Sequence, residues 1–221
     1  MSNPLSSIEI NPQEFPGGSI IWLHGLGADG NDFVSIVPEL KLPLNLPLRF
    51  IFPHAPLMPV TINGGYVMRA WYDIRSLTIE DHADQLGIEA STKKLQELIQ
   101  HEKTLGIPTE KIILAGFSQG AVIALTTGLT YPDRLGGIIA LSGYLPHGNQ
   151  VLQKATTANQ TIPIFAAHGR EDTIVPYRLG ENTSDLLQKN HYRVEWHSYR
   201  MPHSVCAEEI RDIADFLKKI Y

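Results

Sequence analysis

The sequence predicts an α/β domain built on a mostly parallel central sheet with helices on both faces. Two observations carry that prediction. Short apolar runs recur along the chain, too continuous in apolar character for half-exposed strands and of the kind a sheet covered on both sides requires. Between them lie segments with helical periodicity, and strand–helix alternation is the signature of a parallel sheet. Size agrees: 221 residues suit one domain, 1–221, that buries about 70% of its unfolded surface without disulfides or a structural metal.

Taken in order, residues 1–18 are polar and proline-broken. They read as a peripheral N-terminal segment without the basic and apolar regions of a signal peptide. Residues 19–24 (SIIWLH), 49–52 (RFIF), 111–115 (KIILA), 137–141 (GIIAL) and 162–167 (IPIFAA) read as buried strands. Residues 192–199 alternate more and suit an edge. Pro163 stands near the start of its run, where a strand tolerates proline. Residues 85–105 place Leu86, Ile88, Leu95, Leu98 and Ile99 near one helical stripe, ended by Gly106 and Pro108. Residues 119–130 are small and apolar nearly all round and must stop before Pro132. Residues 178–188 are helical on fainter periodicity. Residues 204–221 put Ile210, Ile213, Phe216, Leu217 and Ile220 at helical spacing, with Lys218 and Lys219 in the last turn, where the helix dipole favours cations.

Composition excludes several classes. With 43% hydrophobic and 19% charged residues, the chain is not disordered. Eighteen Lys and Arg against 23 Asp and Glu give a net charge of −5, which lacks the basic footprint of a nucleic-acid binder. The one cysteine, Cys206, cannot form an intramolecular disulfide. No apolar run approaches the roughly 18 residues of a membrane-spanning helix. The expectation is a soluble, cytoplasmic protein.

Gly116-Phe117-Ser118-Gln119-Gly120 matches G-x-S-x-G, directly after one predicted strand and opening a predicted helix. That context defines a nucleophile elbow. A sharp, strained turn lifts the serine hydroxyl above the sheet. The positions two before and two after approach neighbouring backbone and must be small; both are glycine.

A serine hydroxyl needs a base, and the base needs an orienting group. In elbows of this kind the acid and then the histidine follow the serine in the chain. The strand 162–167 runs into His168-Gly169-Arg170-Glu171-Asp172-Thr173-Ile174-Val175-Pro176. Asp172 is the orienter, because H-G-x-x-D-x-x-V-P recurs in this fold class with the Asp in that role; Glu171 reads as a solvated loop charge. Of the downstream histidines, His203 sits between the last strand and the last helix, where a loop can carry an imidazole over the strand ends. His168 reads as a hydrogen-bonded structural residue, His197 as a strand residue and His191 as exposed. An unperturbed imidazole titrates near neutrality and can take and return a proton there.

Attack on a carbonyl builds an oxyanion that needs preorganised N–H donors. The backbone N–H of Gln119 is one. The other comes from the loop His24-Gly25-Leu26-Gly27-Ala28-Asp29-Gly30, with Leu26 as the natural donor. A phosphate-binding role for this loop is disfavoured by the absence of G-x-G-x-x-G spacing and of a Walker lysine.

His24-Gly25-Leu26-Gly27, Pro53-His54-Ala55-Pro56, the elbow with Ala121, His168-Gly169-Arg170-Glu171-Asp172 and His203-Ser204 together resemble the phospholipase/carboxylesterase family. It holds bacterial carboxylesterases and acyl-protein thioesterases on the α/β-hydrolase fold. The resemblance runs from about Ile20 to Ile220. It implies Ser118, Asp172 and His203 as the catalytic triad and Leu26 and Gln119 as the oxyanion hole. It also implies an acyl groove along 60–74, with Trp71 in contact with substrate; plain core packing is the other reading of Trp71. Pro202 stands where relatives often carry a small residue. Proline fixes φ and removes an N–H, so either a stiffened His203 loop or a slightly shifted ring is expected.

A chain this short leaves no room for a large cap domain. The expected site is an open groove flanked by 53–81 and 143–161, taking short-to-medium acyl esters, acylated protein thioesters or lysophospholipids. Apolar loop residues Leu57, Met58 and Leu77 would give at most transient membrane contact; a homodimer is open. No cofactor and no metal are implied: H-E-x-x-H is absent, and His82 opens a helix without a matching ligand cluster. A non-catalytic binding protein on this fold would usually lack a triad member, and all three are present.

Overall fold

The computed structural model of the chain describes residues 5–76 and 83–221; Leu77 and His82, weighed above, lie outside them. The strands are β1 Ser7–Ile10, β2 Gly18–Leu23, β3 Leu48–Pro53, β4 Leu57–Val60, β5 Tyr66–Arg69, β6 Ile112–Phe117, β7 Gly137–Leu141, β8 Pro163–Gly169 and β9 Arg193–Tyr199. The helices are α1 Ile36–Glu39, α2 Gln85–Thr104, α3 Gln119–Thr130, α4 Gly148–Gln153, α5 Tyr177–Lys189 and α6 Ala207–Ile220. The main sheet has the order β1-β3-β2-β6-β7-β8-β9, and β4 and β5 form a separate hairpin. Every neighbouring pair of the main sheet is parallel except β1 with β3.

The continuous apolar runs have the cause inferred for them. Successive side chains of a strand point to opposite faces, and here both faces are covered. Ile21, Leu23, Leu114, Ile138 and Ile164 pack with Leu95 and Ile99 of α2, Val122 of α3 and Leu187 of α5. Their neighbours Ile20, Trp22, Ile113, Ile139 and Phe165 pack with Ile36 of α1 and with Ile213, Phe216 and Leu217 of α6. The alternating run 192–199 forms β9, which is an edge strand as expected. No cap domain sits over the sheet among the described residues, and no helix among them is long and apolar enough to cross a membrane.

Two local expectations change. Residues 7–10, expected within a peripheral segment, add the outermost strand through antiparallel pairing with β3. Buried Arg49 of β3 pins that edge: its Nη2 stands 2.9 Å from Glu9 of β1, and its Nε 3.1 Å from Glu102 of α2. Leu86 does not share the α2 stripe and is 77% exposed. It lies nine residues before Leu95, about two and a half turns, and so on the opposite side. The hairpin and the short helix α4 carry too little periodicity to stand out in sequence.

The pairing of β2 with β6 sets the centre of the sheet, with Ser19 opposite Ile112 and Leu23 opposite Gly116. Both strands end on the same side, so the His24 loop and the Ser118 elbow emerge next to each other.

Candidate active site

Ser118 joins β6 to α3 at φ 56° and ψ −118°. This is a sparsely populated backbone conformation costing on the order of 1–3 kcal/mol, held by its surroundings. The Ser118 N–H donates to the Leu141 carbonyl at 2.9 Å, and its own carbonyl accepts from the Ala121 N–H at 3.0 Å. The two glycines are sterically required. A Cβ on Gly116 would enter the backbone of Gly120, and one on Gly120 would enter the Leu23 and His24 carbonyls.

Asp172 follows β8, its side chain fully buried. Its Oδ1 accepts the N–H groups of Ile174 and Val175, each at 2.9 Å. Its Oδ2 lies 2.6 Å from His203 Nδ1 and 3.3 Å from His168 Nε2. Burial alone would raise the carboxyl pKa; His168, His203 and the Val175 amide outweigh it and hold Asp172 well below the usual carboxylate range. The anion is thus the resting state, and the His203 Nδ1–H donates to it. Glu171 is solvated as expected, paired with Arg200 at 3.1 Å.

His203 is carried over the strand ends by the Met201–Pro202 loop. That loop crosses Gly169, where a Cβ would run into the Met201 and Pro202 carbonyls. The Ser204 N–H closes back on the Pro202 carbonyl at 2.9 Å. The Phe117 ring stacks at a tilt against the imidazole, centroids 4.6 Å apart. Of the other histidines, His168 is fully buried with Nε2 2.9 Å from the Val175 carbonyl. His197 pairs with Glu195 and Asp212, and His191 is exposed.

Gln119 is the first residue of α3, so its N–H has no partner within the helix. The His24 loop runs alongside. The Ala55 N–H donates to His24 Nε2 at 3.0 Å, so the proton sits on Nδ1, which donates to the Gly25 carbonyl at 2.7 Å. Burial pushes the His24 pKa below its ordinary value, and the ring is neutral. The Gly27 N–H is held by the Arg69 carbonyl at 2.8 Å.

Ser118, His203, Leu26 and Gln119 border one cavity of about 820 Å³. Residues 62–63 and 72–76 form a second wall, and Tyr144 and residues 173–176 close the rest. The flanks 53–81 and 143–161 are represented; the 173–176 wall was not anticipated. Its signal was present in the sequence, since these residues directly follow the orienting acid.

Trp71 departs from the substrate-contact expectation. It is 2% exposed and belongs to the core, and its immediate neighbours Tyr72, Asp73 and Ile74 border the cavity instead. The physical reason is the indole N–H, which finds its buried partner at the His24 carbonyl, 2.9 Å away.

A serine on a strained elbow at the start of a helix, lining one cavity with a histidine that a buried carboxylate holds, is equipped for acyl transfer. The comparisons point the same way. A family model described as phospholipase/carboxylesterase matches residues 7–221. Acyl-protein thioesterase 1 of Mycosarcoma maydis is 39% identical across 98% of this chain and 97% of its own. The crystal structure of Arabidopsis thaliana SOBER1 superposes with a TM-score of 0.86 at 30% identity, over 91% of this chain and 98% of that one. Zea mays acyl-protein thioesterase 2 superposes at 0.85 with 28% identity, over 97% and 98%.

Proposed function

The chain belongs to the phospholipase/carboxylesterase family, and from that premise we propose that it is a serine hydrolase cleaving carboxylic esters or thioesters through an acyl-enzyme. The observation that carries the reading is the 2.6 Å His203–Asp172 contact on the rim of the cavity that Ser118 borders. Asp172 holds the Nδ1 proton of His203, which leaves Nε2 as the basic nitrogen. His203 takes the Ser118 proton as Oγ attacks the acyl carbon, and the N–H groups of Leu26 and Gln119 receive the oxyanion. His203 returns the proton to the leaving alcohol or thiol. It then deprotonates water, which releases the acid and restores Ser118. The mechanism needs no cofactor or metal.

A fluorophosphonate should add its phosphonyl mass to the Ser118 peptide, and Ser118→Ala should abolish both labelling and turnover. Labelling or turnover that survives in Ser118→Ala overturns the assignment.

Short-to-medium acyl esters are the proposed substrates. A second reading, acyl-protein thioester or lysophospholipid hydrolysis by the same triad, is favoured by relatives named as acyl-protein thioesterases at 36–40% identity. Nitrophenyl esters of rising chain length, assayed beside a palmitoyl thioester and a lysophospholipid, separate the two by kcat/KM. Within this reading the enzyme is cytoplasmic, monomeric or a homodimer. Exposed Leu57 of the hairpin supports transient membrane contact. Cosedimentation with lipid vesicles tests that contact, and Leu57→Ser should weaken it.

A further inference from the structure

We propose that Trp71 and the side chain of Gln119 are positioning residues that hold the two oxyanion donors in register, and that Trp71 does so without touching substrate. The inference rests on the serine-hydrolase reading above.

The two donors come from different places in the chain. Leu26 follows β2 and Gln119 follows β6, so their spacing has to be set by something that spans both loops. The Gln119 side chain, 2% exposed, does the first half. Its Oε1 accepts the Trp71 N–H at 3.1 Å and its Nε2 donates to the Tyr72 carbonyl at 2.8 Å. Both ends of the amide are used, which fixes its orientation. Trp71 does the second half, donating its indole N–H to the His24 carbonyl at 2.9 Å. The Ser91 hydroxyl in turn holds the Trp71 carbonyl, anchoring the link to α2.

From His24 the geometry passes directly to the donor. The Gly25 carbonyl, held by the His24 Nδ1–H, shares a peptide plane with the Leu26 N–H. The plane is rigid, so fixing the carbonyl aims the N–H the opposite way. Trp71 and the His24 ring thus hold two consecutive carbonyls, and the Leu26 N–H is the group they leave pointing out.

Interactions that act only on the oxyanion alter the transition state and not ground-state binding. Trp71→Phe keeps an aromatic ring and removes the N–H. It should lower kcat about tenfold while KM stays within about twofold, since a donor is misaimed and not removed. Affinity for a trifluoromethyl ketone, whose adduct carries the oxyanion, should fall by the same factor. Gln119→Met keeps the backbone donor and volume, loses the amide, and should show the same split. The double variant should lose less than the product of the two, because both break one chain of contacts. A rise in KM at unchanged kcat would mean that Trp71 touches substrate, and overturns the proposal; so does wild-type kcat in both variants. If Trp71→Phe does not fold, Gln119→Met decides on the same criteria. Ser118→Ala, run in parallel, separates the two readings. Turnover there removes the serine-hydrolase reading and this proposal with it. A dead Ser118→Ala beside wild-type kcat in both Trp71→Phe and Gln119→Met removes only this one.

Discussion

At the elbow wall of the groove, Gly116 and Gly120 have backbone where a Cβ would stand, while at the tip of the hairpin Gly64 and Gly65 have nothing within 4 Å. The same contrast runs through the neighbouring side chains. Around the elbow, Gln119, His24 and Asp172 are buried and each polar end named above meets a partner. On the hairpin, Leu57, Tyr66 and Val67 face solvent, and the strands pair only with each other. A wall that must place atoms for chemistry is built from close backbone approach and satisfied donors. The hairpin is held mainly at its base, by Arg69 and by Asp73 on the Thr61 N–H and hydroxyl.

Substitutions should therefore sort by wall. The largest effect is expected for Asp172→Asn, which cannot hold the Nδ1 proton of His203 as the carboxylate does. Steady-state kinetics should show kcat down about 10⁴-fold. A fall of less than about tenfold would remove Asp172 from the orienting role.

Next comes Gly120→Ala. With its Cβ directed into the Leu23 and His24 carbonyls, denaturant unfolding should register a loss of about 3 kcal/mol. An alanine there without cost would break the comparison at its strongest point.

A buried carboxyl group on this side gives a pH signature. Glu209, in the first turn of α6 a few residues beyond His203, is fully buried and has no ion-pair partner among the described residues. Burial, and then the charge of Asp212, push its pKa up to about 8 from an ordinary 4.5, against the Cys206 amide. The folded state binds this proton more tightly than the unfolded one. Its stabilising contribution is therefore full below pH 4.5 and is lost as pH rises to about 8. Glu209→Gln should be more stable than wild type above pH 8 by on the order of 1–3 kcal/mol, with the difference closing toward pH 4.5. Parallel stability curves for the two proteins would show that Glu209 does not titrate in that window.

The smallest effect is expected at the open wall. Gly64→Ala meets no atom, and only its φ of 65° resists a side chain. The cost should be about 1 kcal/mol in the same unfolding assay. A loss as large as that of Gly120→Ala would show the hairpin to be as tightly built as the elbow.

The same contrast explains what could be read from sequence. Ser118, Asp172 and His203 stand out in the sequence because each belongs to a short pattern with a defined local geometry, and the fold brings Ser118 and His203 to one cavity with Asp172 against the imidazole; Gly116 and Gly120 mark the elbow by their absence of side chains. Five strands and the β9 edge were legible because burial on both faces writes itself as continuous apolar runs. The hairpin was not, since Pro59 and the Gly64–Gly65 pair read as loop. Strand β1 was not, because Glu9 between Ile8 and Ile10 gains its buried partner Arg49 only in the fold. Trp71 shows the limit most clearly. Whether an indole meets solvent, substrate or a carbonyl depends on a partner 47 residues earlier in the chain, and nothing adjacent to Trp71 announces it.

The β2–β6 seam has a kinetic consequence. Ser19 pairs with Ile112 across more than ninety intervening residues, and pairing at such separation closes slowly because loop entropy is lost before contacts form. The His24 loop and the Ser118 elbow sit on the two sides of this seam, so the cavity they border is not formed before it is closed. During refolding from denaturant, far-UV ellipticity should recover first and esterase turnover last, the catalytic centre thus serving as a clock for the slowest contact in the sheet.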